Sequence, residues 1–387
     1  MRILILNWRD IKNPKAGGAE VVTHEIAKRW VQWGHEVTLF TAGFPGAIPE
    51  EEFEGVRIIR RGEQYSVHYE AFRYYRRYLE GRLDVVIDEI NTIPFLTPLY
   101  VKEKKVAFFH QLAREVWLYE SKFPMNVIGY VSEPLYLKVY RNIPTVVVSE
   151  STRQDLLRLG FRRVHVVHDG IDVTPLAEVP SSVEKAKEPT VLYVGRLVPS
   201  KRVEDIVEAV YLVRRDISDI RLWVVGDGKA DYIARLRCQV QRYGLRGHVW
   251  FWGKVSLEKK LELMRQAHIL ALASVREGWG LVVIEANAMG TPAVVYNVHG
   301  LRDSVRHSET GIICTENSPR AMAESIIAFL RDDQLSTHLA QCALEWSRLF
   351  TWDKAANEFL RIVKATAHGT FSPLEVLTLS RDRQQFL

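Results

Sequence analysis

Short β-rich runs alternate with helical stretches along this chain, and the alternation runs through once and then begins again. In the first half, residues 2–6, 36–41, 56–60, 84–88, 106–109, 145–149 and 164–167 read as strands. Helical patterns lie between several of them. Over 18–33, Val22, Ile26 and Trp30 recur at i, i+4 and i+8, one face of a helix. Parallel strands need crossover connections, so such alternation implies a parallel sheet covered on both faces. The second series is 190–195, 221–226, 248–251, 269–273 and 292–296, with helical stretches near 202–215, 229–243, 257–267 and 281–289. Residues 172–189 hold three prolines and no strong periodicity, and read as the linker. The expectation is an α/β chain with two tandem doubly wound, Rossmann-like domains, 1–171 and 190–350, facing a central crevice. Residues 351–387 would add a last helix and a tail. Ligands of such sheets bind outside the carboxyl ends of the strands.

Composition excludes several classes. The chain of 387 residues is 47% apolar and 26% charged, ordinary for a soluble globular protein. It has no apolar run of about 18 residues, so no spanning helix is expected, and the apolar residues 2–6 are too short for a secretory signal. Cys238, Cys314 and Cys342 are scattered without metal-ligand spacing, which fits a reducing, cytoplasmic setting. The net charge of +5 is spread over both halves. That argues against nucleic acid as a partner and leaves room for an anionic donor or an anionic membrane surface.

The stretch from Glu277 to Glu285 carries the most chemistry. Gly278-Trp279-Gly280 follows an apolar run and opens a helical pattern at Leu281. Free N–H groups at a helix start attract phosphate, and glycines let a ligand approach the backbone. Glu277 in the loop and Glu285 one turn into the helix are placed to accept hydrogen bonds from ligand hydroxyls. A phosphate site flanked by two hydroxyl acceptors suits a nucleotide sugar; a plain helix N-terminus with an acidic residue is the alternative. Arg196 and Lys201 share a loop after the first strand of the second series, where two cations neutralise a pyrophosphate without a metal. No Asp-x-Asp pair occurs, so no metal is expected. Val225-Gly226-Asp227-Gly228 reads as a tight turn, and the backbone around Val255 follows another strand end and suits a nucleobase.

In the first half, Gly17-Gly18 precedes a helix without the G-x-G-x-x-G spacing of a dinucleotide site. His110 follows a strand directly, at the edge facing the crevice, where it suits a substrate hydroxyl or a proton; a satisfied loop histidine is the other reading. Arg114, Glu115, Trp117 and Tyr119 come next. Residues 69–82 interleave Arg73, Arg76, Arg77 and Arg82 with aromatic residues. That pattern suits a membrane-facing basic helix or a solvated one with snorkelling arginines.

Taken in order, Gly17-Gly18-Ala19-Glu20, His110, Val148-Ser149-Glu150-Ser151, His168-Asp169-Gly170-Ile171-Asp172, Gly195-Arg196 with Lys201, Gly226-Asp227-Gly228 and Glu277 to Glu285 resemble the retaining glycosyltransferases of family four, which have the GT-B fold. The resemblance covers about residues 1–365. It implies that Glu285 binds ribose hydroxyls and Glu277 the donor sugar, while the N–H groups around Gly280, Leu281 and Val282 hold sugar and phosphate. Arg196 and Lys201 would bind the diphosphate, Val255 the base, Gly17 and Gly18 the diphosphate and acceptor, and His110 the sugar near the reacting centre. The last helix would cross back to the first domain. Two positions depart from the family: Gly278-Trp279 stands where Pro-Phe is frequent, and Asp169 where Asn is common. The implied activity is retaining transfer of a hexose, mannose or glucose, from a UDP- or GDP-sugar to a glycan, lipid-linked or small-molecule acceptor, without cofactor or metal. Such an enzyme would be cytoplasmic, with possible peripheral membrane contact. The alternatives are another GT-B activity, such as a glycogen-type synthase or phosphorylase, and a non-catalytic sugar- or nucleotide-binding subunit.

Overall fold

A computed structural model describes residues 1–180 and 184–370. The first sheet holds β1 (Arg2–Leu6), β2 (Glu36–Thr41), β3 (Glu50–Phe53), β4 (Val56–Arg60), β5 (Val85–Ile90), β6 (Lys104–Phe109), β7 (Thr145–Val147) and β8 (Val164–Val166). Their order is β3-β4-β2-β1-β5-β6-β7-β8, and every pairing is parallel except β3 with β4. The second sheet holds β9 (Thr190–Val194), β10 (Arg221–Val225), β11 (Val249–Gly253), β12 (Ile269–Leu272), β13 (Ala293–Val295) and β14 (Gly311–Ile313), all parallel, in the order β11-β10-β9-β12-β13-β14. Each sheet reverses direction of travel beside its first strand, at β1/β5 and β9/β12. Those two switch points leave crevices at the carboxyl edges.

Two strands lie outside the periodic pattern. β3 opens with three consecutive glutamates, which carry no strand signature. Arginines of the neighbouring β4 segment hold it: Arg57 lies 3.3 Å from Glu50 and Arg60 2.5 Å from Glu51. β14 is only three residues long. The central strands are apolar and buried, as sheets covered on both faces require. β5 is buried throughout, yet contains Asp88 and Glu89. Asp88 is a structural group: it accepts from the Phe95 and Thr97 N–H groups, 3.1 Å each, and from the Thr97 hydroxyl at 2.8 Å.

The helix Trp352–His368 packs on the first domain, against the helix Gly18–Gln32. Trp30 donates its indole N–H to the Ala356 carbonyl (2.9 Å), and Phe359 meets the Trp30 and Phe108 rings. The part of the expected tail beyond residue 370 lies outside the described residues. The basic stretch near 69–82 forms a helix Val67–Tyr74 that widens into a π turn, Tyr75–Leu79. Among the described residues no helix is long and apolar enough to cross a membrane.

Candidate active site

The helix Leu281–Ala288 begins at Gly280, whose φ of +88° only glycine adopts without strain. No side chain caps it, so its first N–H groups point outward, with the dipole behind them. Glu277 sits just before this start and Glu285 just within it. Each carboxylate has a lysine: Lys201 binds Glu277, and Lys260, from the helix Leu257–Gln266, lies 2.8 Å from Glu285. Ser274 also donates to Glu277, at 2.6 Å. Arg196 is mostly exposed and turned toward Glu120 of the first domain, 3.7 Å away. Val255 is half-buried beyond β11. The second domain thus offers two lysine-neutralised carboxylates, 277 and 285, around an open helix start.

Facing it is a second helix start. Gly17 caps the helix Gly18–Gln32 without a side chain of its own, and its N–H donates to Glu20 (2.6 Å). Glu20 is fixed by Arg9 at 2.9 Å. A Cβ on Gly18 would lie 3.4 Å from Leu281, so the two helix starts meet across the crevice. His110 directly follows β6 and is buried. Its Nε2 lies 2.5 Å from Glu89, which is fully buried and also accepts from Asn7 (2.8 Å) and the Thr23 hydroxyl (2.6 Å). Burial opposes a charged imidazole, but the attraction of Glu89, helped by Asp169 and Glu20, outweighs it and raises the His110 pKa. Asp169 is itself buried, and burial, reinforced by Glu89 and opposed by His110, pushes its pKa up to about 7.

The loop carrying Glu277 reaches His110 directly. A Cβ on Gly278 would fall inside 3.0 Å of the His110 carbonyl oxygen and 3.2 Å from its carbon. Trp279 is buried behind it, stacked on His168 at 4.1 Å between ring centres. Further pairs hold the domains together. Arg276 bonds to Glu115 (2.9 Å) and Asp155 (3.0 Å), and His299 lies 3.3 Å from Asp155. Burial works against the Asp155 charge, but His299 and Arg276 win and hold its pKa down to about 2. The Ser200 hydroxyl donates to Glu120 at 2.5 Å.

The structure therefore brings together Gly17, Gly18, His110, Gly280, Leu281, Val282, Glu277 and Lys201, and sets Glu285 one turn further in. Arg196 stays at the rim. Sequence reasoning overlooked Glu89, Lys260, Arg276 and Asp155. Glu89 follows Asp88 in a strand whose other residues are apolar, a signal for buried carboxylates that does not say which is functional; the other three pair with residues distant in the chain and leave no local pattern. Among the described residues, no group of three or more His, Cys, Asp or Glu could hold a metal ion.

Residues 16–174 match the model of the "Glycosyltransferase Family 4" domain, and residues 177–346 match that of "Glycosyl transferases group 1". Between them the two span both sheets and the crevice. The chain belongs to the family-four glycosyltransferases. It is 29% identical over 219 residues, 53% of its length, to a D-inositol 3-phosphate glycosyltransferase of Jonesia denitrificans, and spans about half of that relative, 52%. Among solved structures, this chain superimposes on a sucrose-phosphate synthase of Thermosynechococcus elongatus with a TM-score of 0.77 at 21% identity, covering 95% of this chain and all of the other. Anabaena HepE in complex with UDP-glucose gives a TM-score of 0.72 at 19% identity, covering 94% and 100%. These likenesses show the fold, GT-B.

Proposed function

We propose that this glycosyltransferase moves a hexose from a nucleotide-diphosphate sugar to an acceptor hydroxyl with retention of anomeric configuration and without a metal. The observation that carries the reading is the pair Glu277 and Glu285, each held by a lysine, flanking the uncapped helix start at Gly280 and facing Gly17, Gly18 and His110. The lysines pair with both carboxylates and hold them in place as hydroxyl acceptors. A UDP-sugar is the first donor to try, since the HepE neighbour of the same fold was solved with UDP-glucose.

In the reaction the anomeric carbon–oxygen bond to the β-phosphate breaks. The N–H groups of Leu281 and Val282, with Lys201 and Arg196, stabilise the charge that develops on the diphosphate. The acceptor oxygen bonds to the same face of the anomeric carbon, and its proton passes to the departing phosphate oxygen. His110, held by Glu89, positions the sugar. The tight domain contact limits donor hydrolysis by excluding water. The acceptor we assign is a glycan or lipid-linked hydroxyl, met at the cytoplasmic face of a membrane.

The test is nucleotide release over a panel of UDP- and GDP-sugars, with and without chelator, for wild type, Glu285→Ala and Arg196→Ala, with donor binding followed by thermal shift. Turnover of one donor, insensitive to chelator and lost in both variants, supports the reading. Neither binding nor turnover across the panel sinks it, and a glycosyl–enzyme adduct on a carboxylate sinks the direct front-face attack.

A further inference from the structure

The helix Met125–Tyr136 is built inside out. Met125, Ile128, Val131 and Leu135 recur at helical spacing, and each is between 51% and 59% exposed. The face turned inward carries Gly129 and Glu133. Glu133 is buried and accepts from the N–H groups of Ala113 and Arg114, at 2.7 Å each. Gly129 lies against the Trp117 ring, where any Cβ would overlap it. The buried positions are thus committed to a carboxylate and a glycine, and among the described residues the apolar stripe has no partner. Phe123, just before the helix, is 82% exposed.

The apolar surface extends along the carboxyl edge of the first sheet. Tyr136 donates to the Thr92 carbonyl at 2.8 Å, and the His68 ring lies 3.2 Å from the Ile93 carbonyl. The helices Met125–Tyr136 and Val67–Tyr74 therefore straddle one loop, with Ile93 exposed between them and Tyr69 exposed on the second helix. Cations rim this face. Lys122 and Lys138, just before and just after the helix Met125–Tyr136, are exposed and have no carboxylate partner among the described residues. The surface borders the crevice mouth, because the neighbouring helix Val116–Glu120 reaches the second domain through Glu120 and Ser200.

We infer that this face docks on an anionic lipid bilayer and presents the crevice to an acceptor carried there, a reading that rests on the transferase function proposed above. Charge complementarity favours a bilayer over a second copy. An isologous dimer would set Lys122 and Lys138 of both copies close together, whereas anionic headgroups neutralise them while the stripe enters the acyl boundary. Lys122 and Lys138 supply the cationic part of the contact, and the stripe of the helix at 125–136 supplies the apolar part.

The experiment is flotation of the full chain with vesicles of phosphatidylglycerol or of phosphatidylcholine. Wild type, Ile128→Asp/Val131→Asp and Lys122→Gln/Lys138→Gln are compared. Thermal melting checks the fold of each, and light scattering its oligomeric state. Wild type is expected to float with phosphatidylglycerol and much less with phosphatidylcholine. The aspartate pair should weaken vesicle affinity by about tenfold or more, and the glutamine pair by a similar factor. Wild type that floats with neither vesicle, or an aspartate variant that floats like wild type, overturns the proposal. So does a wild-type dimer that the aspartates disperse without any vesicle binding. Donor binding by thermal shift is read on the same samples. Vesicle binding without donor binding would sink the transferase reading and leave the docking surface standing; the reverse would sink only the docking.

Discussion

Gly278 is where the two domains touch backbone to backbone beside the proposed reacting centre, and alanine there gives the sharpest test of that contact. The added Cβ would fall inside 3.0 Å of the His110 carbonyl oxygen, with Val148 3.5 Å away on another side. A carbon and a carbonyl oxygen ordinarily approach to about 3.3 Å, so the loop or the domain must retreat by on the order of 1 Å. The obstacle is main chain on both sides, so no rotamer relieves it. Glu277 is the adjacent residue and would be carried away from His110 with the loop. A misplacement of about 1 Å in a site that works by positioning costs on the order of 10²-fold in turnover, roughly 2.7 kcal/mol of transition-state stabilisation. The donor groups lie mostly in the second domain and move together, so donor affinity by thermal shift should change by less than about threefold, and overpacking at a domain boundary should cost about 1–3 kcal/mol of stability. The assay is steady-state kinetics with donor and acceptor, alongside donor titration. Gly278→Pro carries the same Cβ, at a position where the family often has proline, and should fail in the same way here. Turnover within about threefold of wild type in either variant would show that the contact with His110 is absent from the reacting state, and would refute the reasoning.

Three further outcomes follow from the buried charges. In Glu89→Gln the imidazole loses the carboxylate that raises its pKa, so the His110 titration followed by NMR, and the basic limb of kcat/KM against pH, should move to lower pH; an unmoved midpoint would remove Glu89 as the positioning group. Asp169 has a folded pKa of about 7 against a reference of 3.8, so the native state holds its proton more tightly and stability falls as pH climbs from about 4 to about 7. Asp169→Asn removes that loss, which by linkage is on the order of 4 kcal/mol at most; its advantage in Tm over wild type should grow between about pH 5 and 8, and a constant difference would contradict the assignment. Arg276→Met leaves Glu115 and Asp155 without their shared cation across the boundary, so the unliganded protein should open, read as a larger radius of gyration in solution scattering with each domain still folded. An unchanged radius would mean that the other interdomain contacts suffice.

The fold was legible because its information is local. Alternating runs, a proline-bearing linker and glycines at strand ends report their own neighbourhood, and twelve of the fourteen strands in the two sheets coincide with apolar runs in the sequence. β3 escaped because its glutamates are held by Arg57 and Arg60, an arrangement of charge and not of hydropathy. The glycines and glutamates of the candidate site were legible for the same local reason, since a helix start and its acceptors lie within nine residues, 277–285. What remained hidden was the other half of each pair. Lys260 meets Glu285 from 25 positions away, Glu89 meets His110 across two adjacent strands, and Arg276 meets Asp155 from 121 positions away.

Those hidden partners share one consequence. Holding a charged group in a dry crevice is costly unless a counter-ion stands beside it. Lys201, Lys260 and Glu89 each stand beside one such group while leaving it at the crevice side of the fold. The local motif names the groups that face a ligand. The long-range pairs hold those groups in place, so a sequence window that holds the motif alone would not reproduce the site. Grafting residues 277–285 onto another open α/β sheet should therefore yield a phosphate-binding helix start without the paired acceptors, because Lys201 and Lys260 arrive from outside that window.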